Sequence, residues 1–221
     1  LYAMKKEERR EYIYSLLKKN NELKVKDLLD ILDVSPETLR LDLDFLENKG
    51  LVKRSYGKVI YNCNSIEVPF LVRKQDNKNI KNMLAKVAIQ YISDGSTIFI
   101  ASSSTNLFLA KYLRAKNNLT IFTNSIEFLN LMIESKHSLF IVGGKIYKNG
   151  LRSIGSYANE MVKDIHFDLC ICSMDGCKDL TGPGTKSQVE HLFIKNIIHN
   201  SQKKMLLSDY TKFDLSANYQ L

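Results

Sequence analysis

Small polar residues recur in this sequence directly after short apolar runs, in combinations that suit a phosphorylated polyol. They are Ser102-Ser103-Ser104-Thr105, Thr123-Asn124-Ser125, Gly143-Gly144-Lys145, Ser173-Met174-Asp175-Gly176, and Ser208-Asp209 with Lys212 close behind. Hydroxyls and backbone N–H groups at a helix start favour phosphate, a lysine adds charge, and Asn124 and Asp175 can hydrogen-bond sugar hydroxyls. Singly, such residues are ordinary helix caps, and Gly143-Gly144 is an ordinary turn. A second set lies near the N-terminus. Ser35, Glu37, Thr38, Arg40 and Leu41 open a helix, and Lys53, Arg54, Tyr56 and Lys58 sit on a basic hairpin. Short polar groups at the exposed start of a helix can read base edges in a major groove, while hairpin cations hold phosphate. Ion pairs compete: Asp44 stands at i+4 from Arg40, and Asp42 is an available mate for Arg54.

The elements that position these groups follow from periodicity. Tyr12, Ile13, Leu16 and Leu17 mark a helix over 5–19, and Val25, Leu28, Leu29 and Leu32 mark a second over 25–32. Ser35 and Pro36 start a third that runs to Lys49, with Gly50 as its cap. Leu39, Leu43 and Leu46 give that helix one inward face. Two short strands, Leu51–Arg54 and Lys58–Tyr61, enclose Ser55-Tyr56-Gly57. This is the order of a winged helix-turn-helix. A polar connection, Asn62-Cys63-Asn64-Ser65 followed by Pro69, sets the expected boundary between domains 1–61 and 62–221.

Beyond it, Ile80, Leu84, Val87, Ala88 and Tyr91 fall at helical spacing. Strands are then expected at 97–101, 119–122, 139–142, 168–172 and 204–207, with helices at 106–114, 126–135 and 187–200 between them. Short apolar strands alternating with amphipathic helices predict an α/β, doubly wound parallel sheet. Ligands of such sheets bind in the crevice at the carboxyl ends of the strands, where the polar segments fall.

Composition narrows the function classes. No apolar run reaches the length of a membrane span, and Leu1-Tyr2-Ala3-Met4 opens no signal peptide. Leu1 is no initiator Met, so the first residues are expected to be an added remnant. Cys63, Cys170, Cys172 and Cys177 have neither CxxC spacing nor neighbouring histidine pairs, so no metal site is expected, and buried thiols in a reducing cytoplasm are. The net charge of +8 is spread out, with 13 cationic against 11 acidic residues up to position 62 and 19 against 13 after it. The charge therefore argues only weakly for nucleic acid. No GxSxG, GxxxxGK[ST] or GxGxxG motif occurs, and none of His137, His166, His191 and His199 sits at a strand end. No catalytic residue and no cofactor is expected.

The chain resembles the DeoR family of bacterial transcription regulators over nearly its whole length. The resemblance rests on Glu8-Arg9, Val34-Ser35, Thr38-Leu39-Arg40, Asp42-Leu43, Leu46, Gly50 and Arg54. In the second half it rests on Arg73, Lys81 with Ala85, Asp94-Gly95, Thr123-Asn124-Ser125, Gly143-Gly144, Gly155, Asp168 and Lys212-Phe213. It implies a sheet domain similar to ribose-5-phosphate isomerase and CoA transferases, usually without their activity. It also implies a double-stranded DNA operator, a phosphosugar effector, a cytoplasmic homodimer or homotetramer, and repression of carbohydrate genes. Three places depart from the family pattern. Leu41 replaces a second arginine, Tyr56-Gly57-Lys58 replaces His-Gly-Gly in the wing, and Ala101 and Ser103 replace an aspartate and a glycine. The family runs somewhat longer, so the C-terminus is expected to be truncated. Two other expectations stand beside the regulator: a sugar-phosphate isomerase-like enzyme, and a DNA-binding protein whose second domain only oligomerises.

Overall fold

The structure, a computed structural model, describes residues 4–62, 70–148, 150–178, 182–213 and 215–221. The chain forms two compact units, Leu1–Gln75 and Asp76–Leu221. The expected connection through Cys63 and Pro69 lies outside the described residues, and the helix Phe70–Gln75 groups with the first unit.

The first unit runs α1 (Lys6–Asn20), β1 (Glu22–Lys24), α2 (Val25–Leu32), α3 (Pro36–Asn48), β2 (Val52–Ser55), β3 (Lys58–Tyr61) and α4 (Phe70–Gln75). The winged helix-turn-helix is present as expected. Ser35 caps α3, its Oγ accepting the Thr38 N–H at 3.2 Å, with Pro36 at the first helical position. Leu39, Leu43 and Leu46 join Ile13, Leu17 and Leu28 in one core, each worth roughly 1.5–3 kcal/mol of burial. The sequence pattern does not betray β1. It is three residues long and two-thirds charged, yet it pairs antiparallel with β3, giving the order β1-β3-β2. Asp42 is buried and held by Arg9 Nε at 2.6 Å and Arg10 Nε at 2.7 Å, tying α1 to α3. A carboxylate among leucines requires such pairing.

The second unit holds a five-stranded, wholly parallel sheet. Its elements are α5 (Lys78–Ala88), β4 (Thr97–Ile100), α6 (Leu109–Leu113), β5 (Thr120–Thr123), α7 (Ile126–Met132), β6 (Ser138–Ile141), β7 (Lys145–Tyr147), β8 (Arg152–Ile154), α8 (Ser156–Val162), β9 (Phe167–Cys172), β10 (Gly176–Cys177), β11 (Pro183–Thr185), α9 (Gln188–His199), β12 (Ser201–Leu206) and β13 (Tyr219–Gln220). The sheet order is β12-β9-β4-β5-β6. The chain winds from β4 out to β6, then returns to β9 on the other side of β4. The winding direction therefore switches between β4 and β9. Phe99, Phe122 and Phe167 on one face pack with α8 and α9 around Phe193. Ile98, Ile100 and Ile121 alternate to the opposite face.

In α5 the expected apolar stripe is only partly the buried one. Ala88 is buried with Lys81 and Ala85, Ile80 and Leu84 are half-buried, and Val87, with Tyr91 just beyond the helix, stays exposed. Alanines at i and i+3 let the helix approach α6 closely, and Met83 and Val87 turn outward. Among the described residues no helix is long and apolar enough to cross a membrane.

Candidate functional site

In the first unit α3 presents Glu37, Arg40 and Leu41 outward, with Leu41 53% exposed. Thr38 is half-buried and shares a 2.8 Å hydroxyl contact with Ser35. Arg40 leans on Glu37, not on Asp44, and at 3.7 Å between exposed side chains that pair is weak. Arg54 is committed elsewhere. It reaches Asp44 at 2.5 Å and Glu47 at 2.7 Å, while Asp42, the expected mate, is taken by Arg9 and Arg10. The Arg54 backbone N–H, then its guanidinium, hold the Glu47 carboxyl below its ordinary range, and the Glu47 bond raises the guanidinium in turn. Lys58 pairs with Glu22 at 2.6 Å. Lys53 stays exposed. Tyr56 stands fully exposed at the wing tip in a left-handed conformation, φ +43°. The most open groups of this face are thus Glu37, Arg40, Leu41, Lys53 and Tyr56. An arginine, a methyl-seeking leucine, a lysine and an aromatic ring can supply base-edge and phosphate contacts to a duplex.

In the second unit the parallel sheet brings the polar strand ends to one edge. After β4, the Ser102 N–H donates to Asn124 Oδ1 at 2.8 Å and Ser102 Oγ to the Gly150 carbonyl at 3.2 Å. The Asn124 amide then donates to the Ser153 carbonyl at 3.2 Å. Asn124 is therefore a buried clamp joining β4, β5 and β8. Ser103 Oγ accepts the N–H groups of Thr105 and Asn106 at 3.0 and 3.4 Å, so those amides are satisfied within the loop. Thr123 Oγ1 donates to the Ile100 carbonyl at 2.7 Å and accepts the Ser125 N–H at 3.1 Å.

The remaining segments are held by bonds of their own, with Gly144 lying close to Ser153 and Ile154. Gly143 and Gly144 turn the chain into β7, where Lys145 lies over the Tyr147 ring. Asp175 Oδ2 accepts Thr185 Oγ1 and the Lys186 N–H, each at 2.9 Å, and so shapes the approach to α9. Asp209 accepts the Thr211 N–H at 3.0 Å and caps the turn that carries Lys212.

Three buried groups of the second unit were not singled out as site residues from sequence. Lys81 is 3% exposed and donates its Nζ to Ser104 Oγ at 3.2 Å. Arg152, also buried, reaches Glu190 at 3.0 Å. Asn106 Nδ2 donates to the carbonyls of Ala101 and Ile171, at 2.9 and 3.2 Å, across the point where the winding reverses. A lysine within an otherwise apolar helical stripe was the available signal for Lys81; β8 gave none for Arg152. Behind the switch on β9, a hydrogen bond from Cys172 holds the Cys170 thiol down at about 7, and the same bond with burial pushes Cys172 up.

The DeoR-like helix-turn-helix domain matches residues 9–64, and the DeoR C-terminal sensor domain matches residues 76–221. The lactose phosphotransferase system repressor of Lactococcus lactis subsp. lactis is 30% identical over 216 residues, 96% of this chain and 84% of that protein. The glycerol-3-phosphate regulon repressor of Escherichia coli strain K12 is 27% identical over 218 residues, 97% of this chain and 85% of that one. The regulator IolR of Bacillus subtilis strain 168 is 28% identical, with 97% and 84% covered. Among solved structures, ribose 5-phosphate isomerase A of Methanocaldococcus jannaschii overlaps 62% of this chain and 55% of its own, at 16% identity and a TM-score of 0.46. Matched through both its helix-turn-helix and its sensor domain, this chain belongs to the DeoR family of DNA-binding transcriptional regulators.

Proposed function

We propose that this chain represses carbohydrate-metabolism genes, with its hold on a DNA operator set by a phosphorylated sugar at the carboxyl edge of its parallel sheet. One observation carries the effector half. A buried ammonium, Lys81, faces the Ser104 hydroxyl beside the β4–β9 switch, the place where open α/β sheets take their ligands. The names of the relatives that regulate glycerol-3-phosphate and lactose phosphotransferase genes point the same way. A buried lysine beside a loop rich in hydroxyls suits a phosphate dianion and hydroxyl-bearing carbons. The effector acts through different affinities for two states of the protein, and since one recognition helix covers one half-site, the regulator works as a homo-oligomer.

The sheet domain is read as a sensor without turnover and without a cofactor. Asp175 and Asp209, the carboxylates nearest the strand ends, are both spent on caps, so neither stands ready as a general acid or base. A DNA operator as target supports reading the protein as cytoplasmic.

The test is selection of random duplexes by the purified full chain, followed by titration of the winning site with a panel of sugar and polyol phosphates. One compound class should shift the DNA affinity by roughly 5–150-fold. Arg40→Ala should lose roughly 1–3 kcal/mol of sequence discrimination. Failure to select any sequence, or turnover of a sugar phosphate, overturns the proposal.

A further inference from the structure

The two edges of the five-stranded sheet differ in kind. β12 carries Gln202, Lys203 and Lys204 in exposed positions, and lysines on an edge repel a second strand. β6 reads Ser138-Leu139-Phe140-Ile141, without a charge, and leaves Phe140 43% and Ile141 39% exposed. The Ser138 N–H donates to the Leu119 carbonyl at 3.0 Å and the Val142 N–H to the Thr123 carbonyl at 2.8 Å. The alternation of a parallel ladder therefore turns the backbone groups of Leu139 and Ile141 away from β5. Among the described residues nothing bonds to them there. Exposed apolar surface continues nearby with Ile133, at the end of the helix packed on β6, and with Ile146 on β7.

We propose that β6 is where a second copy of this chain docks, the two strands pairing antiparallel about a two-fold axis at Phe140. The need for a second copy rests on the repressor function proposed above; the choice of edge rests on the geometry. Such pairing is self-complementary. Leu139 of each copy faces Ile141 of the other, so the outward N–H and C=O groups satisfy one another, and the Phe140 side chains meet as a cross-strand aromatic pair. No charge opposes its own image. A second apolar surface among the described residues, a groove of about 980 Å³ between α5 and β12, is lined by Lys203 and Lys204 as well as Met83 and Val87. A two-fold copy there would bring like charges together.

The experiment measures the mass of the full chain by light scattering over a wide concentration range, for wild type and Ile141→Lys, with circular dichroism to confirm folding. Wild type should be a dimer or a multiple of one, and Ile141→Lys should dissociate while keeping its circular dichroism spectrum; any fall in its melting temperature should be of the size that loss of association predicts. Phe140→Cys provides the second readout. Facing Cα atoms of a non-hydrogen-bonded antiparallel pair lie about 4.5 Å apart, within disulfide reach. Oxidation should link Phe140→Cys into dimers, with wild type and Lys203→Cys remaining unlinked. If Ile141→Lys fails to fold, the cross-link decides. A persistent Ile141→Lys dimer, or no cross-link at position 140, overturns the β6 edge. The repressor proposal survives that result provided the chain still selects DNA and answers a phosphosugar. A wild-type chain that stays monomeric overturns the docking outright.

Discussion

Arg54 and Glu47 hold each other twice. The Arg54 backbone N–H donates to Glu47 Oε1 at 2.8 Å and its Nε to Glu47 Oε2 at 2.7 Å. With Asp44 taking the other end of the guanidinium, the first strand of the wing is fastened to the last turns of α3. A side chain expected to grip phosphate thus also sets the angle between the helix that enters a groove and the hairpin beside it.

The fastening depends on pH, and its direction follows from the carboxyl. Glu47 sits below its ordinary 4.5 because of the Arg54 N–H first and the Arg54 side chain second. A depressed carboxylate contributes stability that is complete above the unfolded value and lost as pH falls through the folded one. The pair is about one-third exposed, so solvent screening limits it to roughly 0.2–1 kcal/mol. Urea melts should therefore find Glu47→Gln less stable than wild type by that amount at neutral pH, with the gap closing on acidification below the ordinary carboxyl value. An equal gap at both ends of the pH range would mean that the bond does not stabilise the fold.

Tyr56 pays a conformational penalty at the wing tip. Its φ of +43° is followed by Gly57 at +77°, the backbone of a tight hairpin turn for which Asn-Gly is the favoured pair. A bulky side chain held there costs on the order of 1 kcal/mol, and the ring gains nothing in return inside the protein, since it is fully exposed. Tyr56→Asn should raise the melting temperature by a few degrees and weaken binding to the selected operator. A variant that is more stable and binds DNA equally well would remove Tyr56 from the interface.

These outcomes track what the sequence made visible. The helices of the first unit were legible because Ser35, Pro36 and the spacing of Leu39, Leu43 and Leu46 are local signals. The parallel order of the sheet was legible because β4, β5 and β9 are apolar runs between helices. Other elements left no such trace. β1 and β8 are short and polar; β1 is held by β3, distant in the chain, and β8, though paired with the neighbouring β7, is fixed to the sheet through the Asn124 turn. The strand-end residues were identifiable as candidates. What each one bonds depends on three-dimensional neighbours, so Asn124 as a clamp and Lys81 as a buried cation had to come from the fold.

Gly143 and Gly144 look equivalent in sequence and are not. A Cβ on Gly144 would lie 2.9 Å from the Ile154 carbonyl, on a backbone with φ of +151°, whereas one on Gly143 meets nothing within 4 Å. Gly144→Ala should cost roughly 1–3 kcal/mol and Gly143→Ala almost nothing, by thermal or urea denaturation. If Gly143→Ala, though stable, abolishes the response to a phosphosugar, the turn is a ligand contact as well as a bend.

Lys81 offers the sharpest separation of stability from function. Its ammonium is buried against the Ser104 hydroxyl, and a buried charge is costly to desolvate even when partly bonded. Methionine fills similar volume without that cost, so Lys81→Met should melt at the same temperature as wild type or higher. The same variant should lose the rise in melting temperature that a bound phosphosugar confers, a rise of the form RT ln(1 + [L]/Kd). Its operator affinity without effector should be unchanged, since α3 and the wing are untouched. A Lys81→Met protein that still responds to the phosphosugar would take the buried ammonium out of the effector site. One that unfolds would mean that the lysine serves the core, and Ser104→Ala, which removes that hydroxyl and keeps the charge, would then carry the test.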